Sequence, residues 1–367
     1  MKRVPAKSLM RFRCISKYFC SLISEPSFIE AHHKTFVSQF LVSHVNSTEK
    51  EVIYKLSERE EYQDLACPIE YLDEPCFRIL PYMQSINGLI CLWNWEGDVA
   101  ICNPFTKEHI FLPRIYLREK VLSSISTYSF GFDPTTKKHK ILMSDITSIE
   151  EKLVAKYWIF TIVVDKWWRK ISNWAEIIPM NNCVCIDGVI YLEHKFGDHI
   201  AAFSIVGNEK LIRTITFPSL IRTPRSIPKI AEIKGQLALI DDKRILGIDR
   251  TLLYVLNGTS ETETWLKHTV ELPPELIKTS PRPVFTINHK AEIVSISDTG
   301  ISHMFLYDIG KKEWRNIKIH RIYEREYRTM NANCCWPLIW LLLGWGPNCH
   351  DIISTIINLW IVTFAMT

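Results

Sequence analysis

The sequence predicts a mainly β protein built by repeating one four-stranded antiparallel unit. Signals for tight turns stand between short apolar runs, and each is followed by a second apolar pair of strands. The signals recur at intervals of roughly 50 residues. They are Asn87-Gly88, Asp133-Pro134-Thr135, Asp187-Gly188, Lys234-Gly235 and Asn288-His289-Lys290. This period is typical of a kelch-like β-propeller, in which a blade buries both faces only when neighbouring blades stack on it.

The clearest unit runs from Ser85 to Leu112. Asn87-Gly88 is the strongest short hairpin signal, because both central positions of a type I′ turn need positive φ. A polar break follows the apolar run that ends at Trp93, and Asn103-Pro104 turns the chain again toward Leu112. The stretch therefore predicts four strands in one antiparallel sheet.

Later units end on an aromatic or aliphatic run, a polar turn and often a tryptophan. The tryptophans at these late positions are Trp167 or Trp168, Trp265 and Trp314. A large side chain there would fill the space between stacked sheets, so we expect these residues in the core. An ordinary β-sandwich with evenly spaced turns is the alternative, and the long repeat favours the propeller.

Residues 36–82 hold weaker strand patterns, at Phe36–Ser43, Val52–Leu56 and Cys76–Leu80. They are interpreted as an incomplete first blade, which gives about six blades in a domain spanning residues 36–320.

The amino-acid composition limits which classes of function are compatible with this sequence. The 367 residues are 47% apolar and 23% charged, which is sufficient for a sizeable core. A net charge of +4 is too small for a nucleic-acid footprint, and the basic run Lys137–Lys140 is expected to be a solvated turn. The 11 cysteines are scattered among apolar neighbours without a secretory signal, which predicts reduced thiols in the nucleus or cytoplasm.

The first 35 residues predict a short helical module. Apolar residues recur at helical spacing between Pro5 and Pro26, and these are Leu9, Phe12, Ile15, Phe19, Leu22 and Ile23. The opposite face is basic, with Lys7, Arg11, Arg13 and Lys17. From composition alone, a small helical domain, a membrane-surface helix and a transit peptide remain open.

Three short sequence motifs in this module resemble the second half of a plant F-box. They are the Lys-Ser-Leu run that ends at Leu9, the Arg-Phe-Arg-Cys-Ile-Ser-Lys run from Arg11, and the Ser-Leu-Ile run that ends at Ile23. From Ser85 onward the chain is similar to the F-box-associated domain of the same plant family. The matching sequence motifs are Asn87–Leu92, Asn103–Glu108, Phe130–Pro134, Asp187–Tyr191 and Phe305–Asp308.

The resemblance implies the substrate-recognition subunit of a cullin-RING ubiquitin ligase. The F-box would bind a Skp-type adaptor and thereby a cullin, and the propeller would present an unknown protein target. The adaptor-binding residues implied by the match are Pro5, Leu9, Phe12, Ile15 and Phe19. Family F-boxes open with a Leu-Pro helix, whereas this sequence starts inside the module, so weakened adaptor binding is expected. Phe19 also stands where the family usually has Trp, and Ser16 where it often has Cys.

The tail, residues 321–367, departs from the repeat. Cys335–Trp345 and Ile352–Met366 are strongly apolar, but each is shorter than the ~20 residues of a spanning helix. A membrane anchor, a packed terminal helix and sequence read past a gene end remain open, with membrane insertion the less favoured. The repeats end near Ile319, and no blade pattern requires the tail, although a closing strand from either terminus remains open.

No motif for catalysis or metal binding stands out. The sequence holds no Gly-rich phosphate loop, His-Glu-x-x-His or Cys-x-x-Cys, and Cys183-x-Cys185 is expected to place two structural thiols on one side of a strand. We therefore expect no cofactor, no metal site and a non-catalytic receptor. The alternatives are an adaptor-independent interaction propeller, a non-functional truncated member of the family that the sequence resembles, and a propeller enzyme with a site assembled from distant loops.

Overall fold

The computed structural model describes residues 15–24, 28, 39–45, 51–57, 67–68, 82–94, 96–103, 108–115, 125–149, 152–171, 177–194, 199–207, 209–218, 228–242, 250–258, 263–279, 284–288, 290–296, 303–318 and 361–364. The elements, in chain order, are α1 (Lys17–Ser24), β1 (Gln39–Val45), β2 (Glu51–Ser57), β3 (Cys67–Pro68), β4 (Tyr82–Ile86), β5 (Leu89–Trp93), β6 (Val99–Asn103), β7 (Glu108–Phe111), β8 (Ile125–Asp133), β9 (Lys138–Ile149), β10 (Lys152–Thr161), β11 (Arg169–Ile171), β12 (Pro179–Ile186), β13 (Val189–His194), β14 (His199–Ser204), β15 (Lys210–Thr216), β16 (Lys229–Ile233), β17 (Gln236–Asp242), β18 (Arg250–Asn257), β19 (Thr264–Glu271), α2 (Pro274–Thr279), β20 (Val284–Ile287), β21 (Glu292–Ile296), β22 (His303–Asp308), β23 (Glu313–Lys318) and β24 (Ile361–Phe364).

Twenty of these strands form five blades, each a four-stranded antiparallel sheet in simple sequence order. Blade I contains β4–β7, blade II β8–β11, blade III β12–β15, blade IV β16–β19 and blade V β20–β23. First strands of neighbouring blades contact one another, from β4 through β8, β12 and β16 to β20. The mainly β propeller predicted from the 50-residue period is confirmed, and the sandwich alternative is wrong.

The predicted hairpin signals join the first and second strands of their blades. Asn87-Gly88, Asp187-Gly188 and Lys234-Gly235 have positive φ at both positions, and the flanking strands pair directly across each two-residue turn. This is type I′ geometry, whose twist matches that of the strands it joins. Gly188 is required for a second reason: a Cβ at this position would overlap side-chain atoms of Val206 and Pro134, so blades II and III could not approach each other.

The core consists of apolar layers between the blades. Adjacent residues of a middle strand serve different layers, because successive side chains point to opposite faces. Thus Ile141 packs between blades I and II, and Leu142 packs between blades II and III. In the same way Leu239 faces blade III and Ile240 faces blade V. This two-sided burial explains why the strands are continuous apolar runs rather than alternating ones.

The late tryptophans link the outer strands of consecutive blades. The indole N–H of Trp168 donates to the carbonyl of Pro113 at 2.7 Å, that of Trp265 to Thr216 at 2.9 Å, and that of Trp314 to Glu271 at 2.8 Å. All three are half-buried at the margin of an interblade layer. They pack against the core as expected, but each remains only half-buried, because the indole must reach the rim to meet the neighbouring backbone. Trp167 is 73% exposed and packs in no core layer.

A further sheet brings the two ends of the chain together. Its order is β24-β1-β2-β3, with Gln39 opposite Phe364 and Val42 opposite Ile361. The strand β24 also contacts β20 of blade V and β4 of blade I. The expectation that no blade uses the tail is therefore wrong for Ile361–Phe364, which form a strand. Cys76–Leu80 and residues 319–360 lie outside the described residues.

In the part of the chain that the structure describes, no helix combines the length and apolar character needed to cross a bilayer.

Candidate interaction surfaces

Two of the five adaptor-binding residues predicted from the sequence lie at the amino-terminal helix: Phe19 is within α1, and Ile15 comes just before it. Ser16 begins the helix: its Oγ accepts a hydrogen bond from the backbone N–H of Phe19 at 3.2 Å, an N-cap contact that a cysteine would make poorly. Ile15 is 66% exposed and Phe19 is half-buried. Pro5, Leu9 and Phe12 lie outside the described residues.

Tyr18 was not among the predicted adaptor residues, although it is 71% exposed. Its ring meets that of Phe19 edge-on, with centroids 5.8 Å apart. The sequence gives no signal for its role, because an aromatic residue inside an amphipathic pattern is usually assigned to the core. Tyr18 in the first turn of the helix and Ile15 just before it are thus two exposed apolar side chains at the amino-terminal end of α1.

One end of the propeller, here called the turn face, is formed by the turns between first and second strands and between third and fourth strands. Both kinds of turn lie at the same end because consecutive strands are antiparallel. The turns of blades II and III meet there around Lys140. The Lys140 Nζ lies 3.3 Å from Asp133 Oδ2, 3.2 Å from Glu209 Oε1 and 2.6 Å from the carbonyl of Ile205.

The interpretation of Lys137–Lys140 as a wholly solvated turn is correct only for Lys137 and Lys138, which are exposed. Lys140 is 6% exposed, because side chains on one strand alternate between faces and its ammonium points into the interblade space. The ring of His139 is also largely enclosed, and burial lowers the pKa of His139 to about 4. His139 is therefore neutral at physiological pH.

Asp133 is fully buried, yet its carboxylate is held in the ionised form. Burial acts to raise its pKa, but hydrogen bonds from Thr135 and Thr136 lower the pKa well below the ordinary value. The backbone N–H of Thr135 lies 2.9 Å from Asp133 Oδ1 and its hydroxyl 2.6 Å from the same oxygen. The buried carboxylate of Asp133 thus accepts the hydrogen bonds that hold the turn and also pairs with the Lys140 ammonium.

Arg169 extends this cluster along the turn face. Its two terminal nitrogens lie 3.3 and 3.0 Å from the carboxylate oxygens of Glu209, and its Nε lies 3.2 Å from Asp165 Oδ2. The hydrogen bond to Glu209 raises the pKa of Arg169, and the same pairing lowers the pKa of Glu209 although partial burial opposes it. Blades II and III are therefore joined by one network of ion pairs.

A different polar brace occurs in blades I and V. In each, an asparagine amide donates to an acid four residues later, the acid's N–H donates back, and an arginine pairs with the same acid. The two sets are Asn94, Asp98 and Arg114, and Asn288, Glu292 and Arg315. Each brace closes a turn with its buried polar atoms satisfied, which is a structural role.

The first strands of blades I–III meet around Gln84. Its Oε1 accepts hydrogen bonds from the Phe130 N–H at 2.7 Å and from the Cys183 thiol at 3.5 Å. Cys185 lies two residues on and donates to the carbonyl of Phe132 at 3.9 Å, so both thiols lie on the same side of β12, as predicted, and that side faces blades I and II. Burial raises the pKa of Cys183 and of Cys185 to about 11, so both remain protonated and unreactive at neutral pH.

An acidic residue with a strongly shifted pKa lies between blades III and IV. Glu193 is 5% exposed, and burial raises its pKa to about 7 although Asn182 donates to it at 2.8 Å. Asn182 also donates to the carbonyl of Pro228 and accepts from the N–H of Ile230. Burial lowers the pKa of nearby Lys229 to about 8. The sequence did not single out these residues, which are brought together by the stacking of blades.

Within the described ranges, no three His, Cys, Asp or Glu side chains converge in an arrangement suited to a metal ion.

Comparison with known proteins identifies relatives along most of the chain. A family model described as the F-box associated beta propeller domain matches residues 9–339. An F-box protein of Arabidopsis thaliana is 28% identical over 367 residues, covering 89% of this chain and 89% of the relative. An F-box/kelch-repeat protein of the same plant is 24% identical over 364 residues, covering 87% and 83% of the two chains.

Proposed function

The chain belongs to the F-box-associated β-propeller family, and from this membership we propose that it is the substrate-recognition subunit of a cullin-RING ubiquitin ligase. The observation that supports the proposal most directly is the family match, which extends from the amino-terminal helix through all five described blades. In this role the amino-terminal module binds a Skp-type adaptor, the adaptor links it to a cullin, and the propeller holds a protein target. The subunit positions a target and performs no chemistry of its own.

The adaptor contact is assigned to the amino-terminal module. An amphipathic helix binds an apolar groove through side chains spaced three or four residues apart. Tyr18 in the first turn of α1 and Ile15 just before the N-cap are both mainly exposed, and Phe19 beside Tyr18 is half-buried. We assign the first two to the adaptor surface and the third to the packing of the module, with Pro5, Leu9 and Phe12 as further members of the set.

The propeller is proposed to close as six blades. This is supported by the contacts of β24 with both β20 and β4, which place a first strand between blades V and I. It is also supported by the four-strand order of the sheet to which β24 belongs. A ring closed by strands from both chain ends would give the target-binding surface a rigid support, because neither terminal blade could separate without breaking a sheet.

Reconstitution tests the proposal. The full chain is coexpressed with a plant Skp-type adaptor and a cullin, and a fraction of the chain is expected to coelute with both from size exclusion, since weakened adaptor binding is expected. A variant carrying Ile15→Ala and Tyr18→Ala is expected to elute alone at the volume of the folded chain. If the unsubstituted chain elutes alone as well, the proposal fails, and a propeller that binds partners without an adaptor replaces it.

A further inference from the structure

The turn between β10 and β11 of blade II places apolar side chains in solvent. The segment 162–168, here called the blade II tip, includes Val163, which is 96% exposed, Trp167, which is 73% exposed, and Val164, which is 51% exposed. The tip lies on the turn face of the propeller. Turns of this kind are normally rich in Gly, Asn and Asp, so two valines and a tryptophan are unexpected here.

Val163 adopts a backbone conformation that opposes its side chain. Its φ is 69°, in the left-handed region, where a β-branched residue is a genuine outlier. Glycine would suit this position without strain. Because the side chain is almost wholly exposed, packing within this chain does not explain why valine is present. Strain of this kind persists where a side chain serves binding.

Hydrogen bonds to the adjoining strands and to blade I hold the blade II tip in place. Asp165 Oδ2 accepts hydrogen bonds from the Thr161 N–H at 2.7 Å and from Arg169 Nε at 3.2 Å. The Asp165 N–H donates to the carbonyl of Thr161 at 2.9 Å, and the indole of Trp168 is fastened to Pro113 of blade I. A surface that is already ordered loses little conformational entropy when it binds.

The surroundings of the tip are positively charged. Lys166 and Lys170 flank Trp167 in sequence and are exposed. Thr161 pairs with Lys140, and the N–H of Ile162 donates to the carbonyl of His139, so the exposed Lys138 lies at the end of β9 that adjoins the tip. A further exposed lysine, Lys137, precedes it.

The nearby acids do not neutralise these lysines. Asp165 is paired with Arg169, and Glu209 with both Arg169 and Lys140. Among the described residues, none of the four exposed lysines forms an ion pair. The tip therefore combines an apolar centre with an unneutralised cationic margin.

We propose that the blade II tip is a docking site for a protein segment in which large apolar side chains are interspersed with carboxylates. Tryptophan in a rigid setting is typical of residues that dominate binding energy, and the lysines would select an acidic partner and accelerate its association. Naming this segment as part of the ligase target rests on the proposed function, whereas the docking itself does not. A protein fits better than an anionic bilayer, because the strength of membrane binding scales with the apolar area that is buried, and the tip offers only the side chains of one turn.

The test uses a display library of random peptides, about twelve residues long, since such segments span a contact of this size. The library is selected on the full chain and, in parallel, on Trp167→Ala. Peptides enriched only on the unsubstituted chain are expected to carry both acidic and large apolar residues. An enriched peptide, measured by fluorescence anisotropy, should bind Trp167→Ala and Lys138→Glu about tenfold or more weakly.

Two variants separate binding from folding. Val163→Gly removes an exposed side chain and suits the backbone, so it should weaken the peptide while leaving the melting temperature unchanged or higher. Ile212→Ala removes a side chain that is 50% exposed on blade III, and it should leave peptide binding unchanged. Equal enrichment on both chains, enrichment without acids, or no enrichment overturns the proposal.

Other occupants give distinct outcomes, each of which also overturns it. Sedimentation with phosphatidylcholine vesicles containing phosphatidylserine, dependent on Trp167 and unaccompanied by peptide enrichment, would identify the tip as a membrane contact. Concentration-dependent dimers abolished by Trp167→Ala would identify a second copy of this chain as the occupant. Failure of the adaptor reconstitution with peptide binding intact would remove the proposed function and leave the docking site standing.

Discussion

The indole nitrogen of Trp314 lies 2.8 Å from the carbonyl oxygen of Glu271, so the outer strand of blade V is hydrogen-bonded to the outer strand of blade IV. The same link joins blade II to blade I and blade IV to blade III. Trp265 and Trp314 are the second residues of the fourth strands of their blades. In blade III the second residue of the fourth strand, β15, is Leu211, which packs against the core but has no side-chain N–H. There the charges around Lys140 and Glu209 join blade III to blade II instead.

Two substitutions of Trp314 separate the contribution of its hydrogen bond to stability from the contribution of its ring. Trp314→Phe keeps most of the apolar contact and should cost about 1 kcal/mol of unfolding free energy, the usual worth of one such bond. Trp314→Ala also loses ring packing and should cost about 2–3 kcal/mol, less than for a fully buried indole. Urea unfolding of the full chain measures both.

Trp167→Ala is the matched control, because the ring it removes is mainly exposed. It should change stability by no more than about 0.5 kcal/mol. A loss for Trp167→Ala as large as that for Trp314→Ala would mean that the two indoles are wrongly placed.

Lys140 should be essential to the contact between blades II and III. Lys140→Met keeps the length of the side chain but leaves Asp133 buried without its cation, which should cost about 3–5 kcal/mol. Lys138→Met changes an exposed lysine two residues away and should be almost neutral. Equal stabilities of the two variants in chemical denaturation would contradict the interblade role.

Glu193 should make the protein less stable as pH rises. Its folded pKa is raised to about 7, so its contribution is fully present below its unfolded pKa, near 4.5, and is lost as pH increases through 7. Glu193→Gln keeps the oxygen that accepts from Asn182 and removes the charge. Relative to the unsubstituted chain, it should gain about 2–3 kcal/mol at about pH 8 and little at about pH 5.

The exposed Glu313 provides the control for this titration, as Glu313→Gln. Thermal unfolding is measured for both variants across the same pH series. A pH-independent effect of Glu193→Gln would show that the carboxyl does not titrate between its unfolded and folded pKa values.

The strand β24 should stabilise the propeller although it lies far from its partner in sequence. Deleting residues 361–367 removes four paired positions, and at about 0.5–1.5 kcal/mol for one net hydrogen bond at each position the loss should be roughly 2–6 kcal/mol. Deleting only residues 365–367 keeps the strand and is the control. Equal melting temperatures of the two truncations would exclude β24 from the ring.

The predictable parts of the fold were those encoded locally. Asn87-Gly88 and Asp187-Gly188 specify their turns through backbone conformations that few residues adopt, so the first and second strands of their blades followed directly. Trp167-Trp168 shows the limit of such reasoning. Neighbouring residues point to different sides, and the sequence does not say which side another blade will cover.

Contacts between distant segments were not predictable. Ile361–Phe364 resembles the rest of an apolar tail, and only pairing with Gln39–Val45 distinguishes it as a strand of a blade. Asn182 and Glu193 looked like ordinary polar strand residues until the stacking of blades III and IV buried them together. The exposed tip at Val163 lay inside an apolar run, where burial is the default expectation.

The most direct test of the proposed receptor role is calorimetric titration of the full chain with a plant Skp-type adaptor. Saturable one-to-one binding is expected, and removal of the exposed Ile15 and Tyr18 side chains together should weaken it about tenfold or more. Val154→Ala, which trims a side chain that is 39% exposed on blade II, should leave it unchanged. An absence of binding, or equal affinities for all three proteins, would contradict the assignment of the amino-terminal helix to the adaptor.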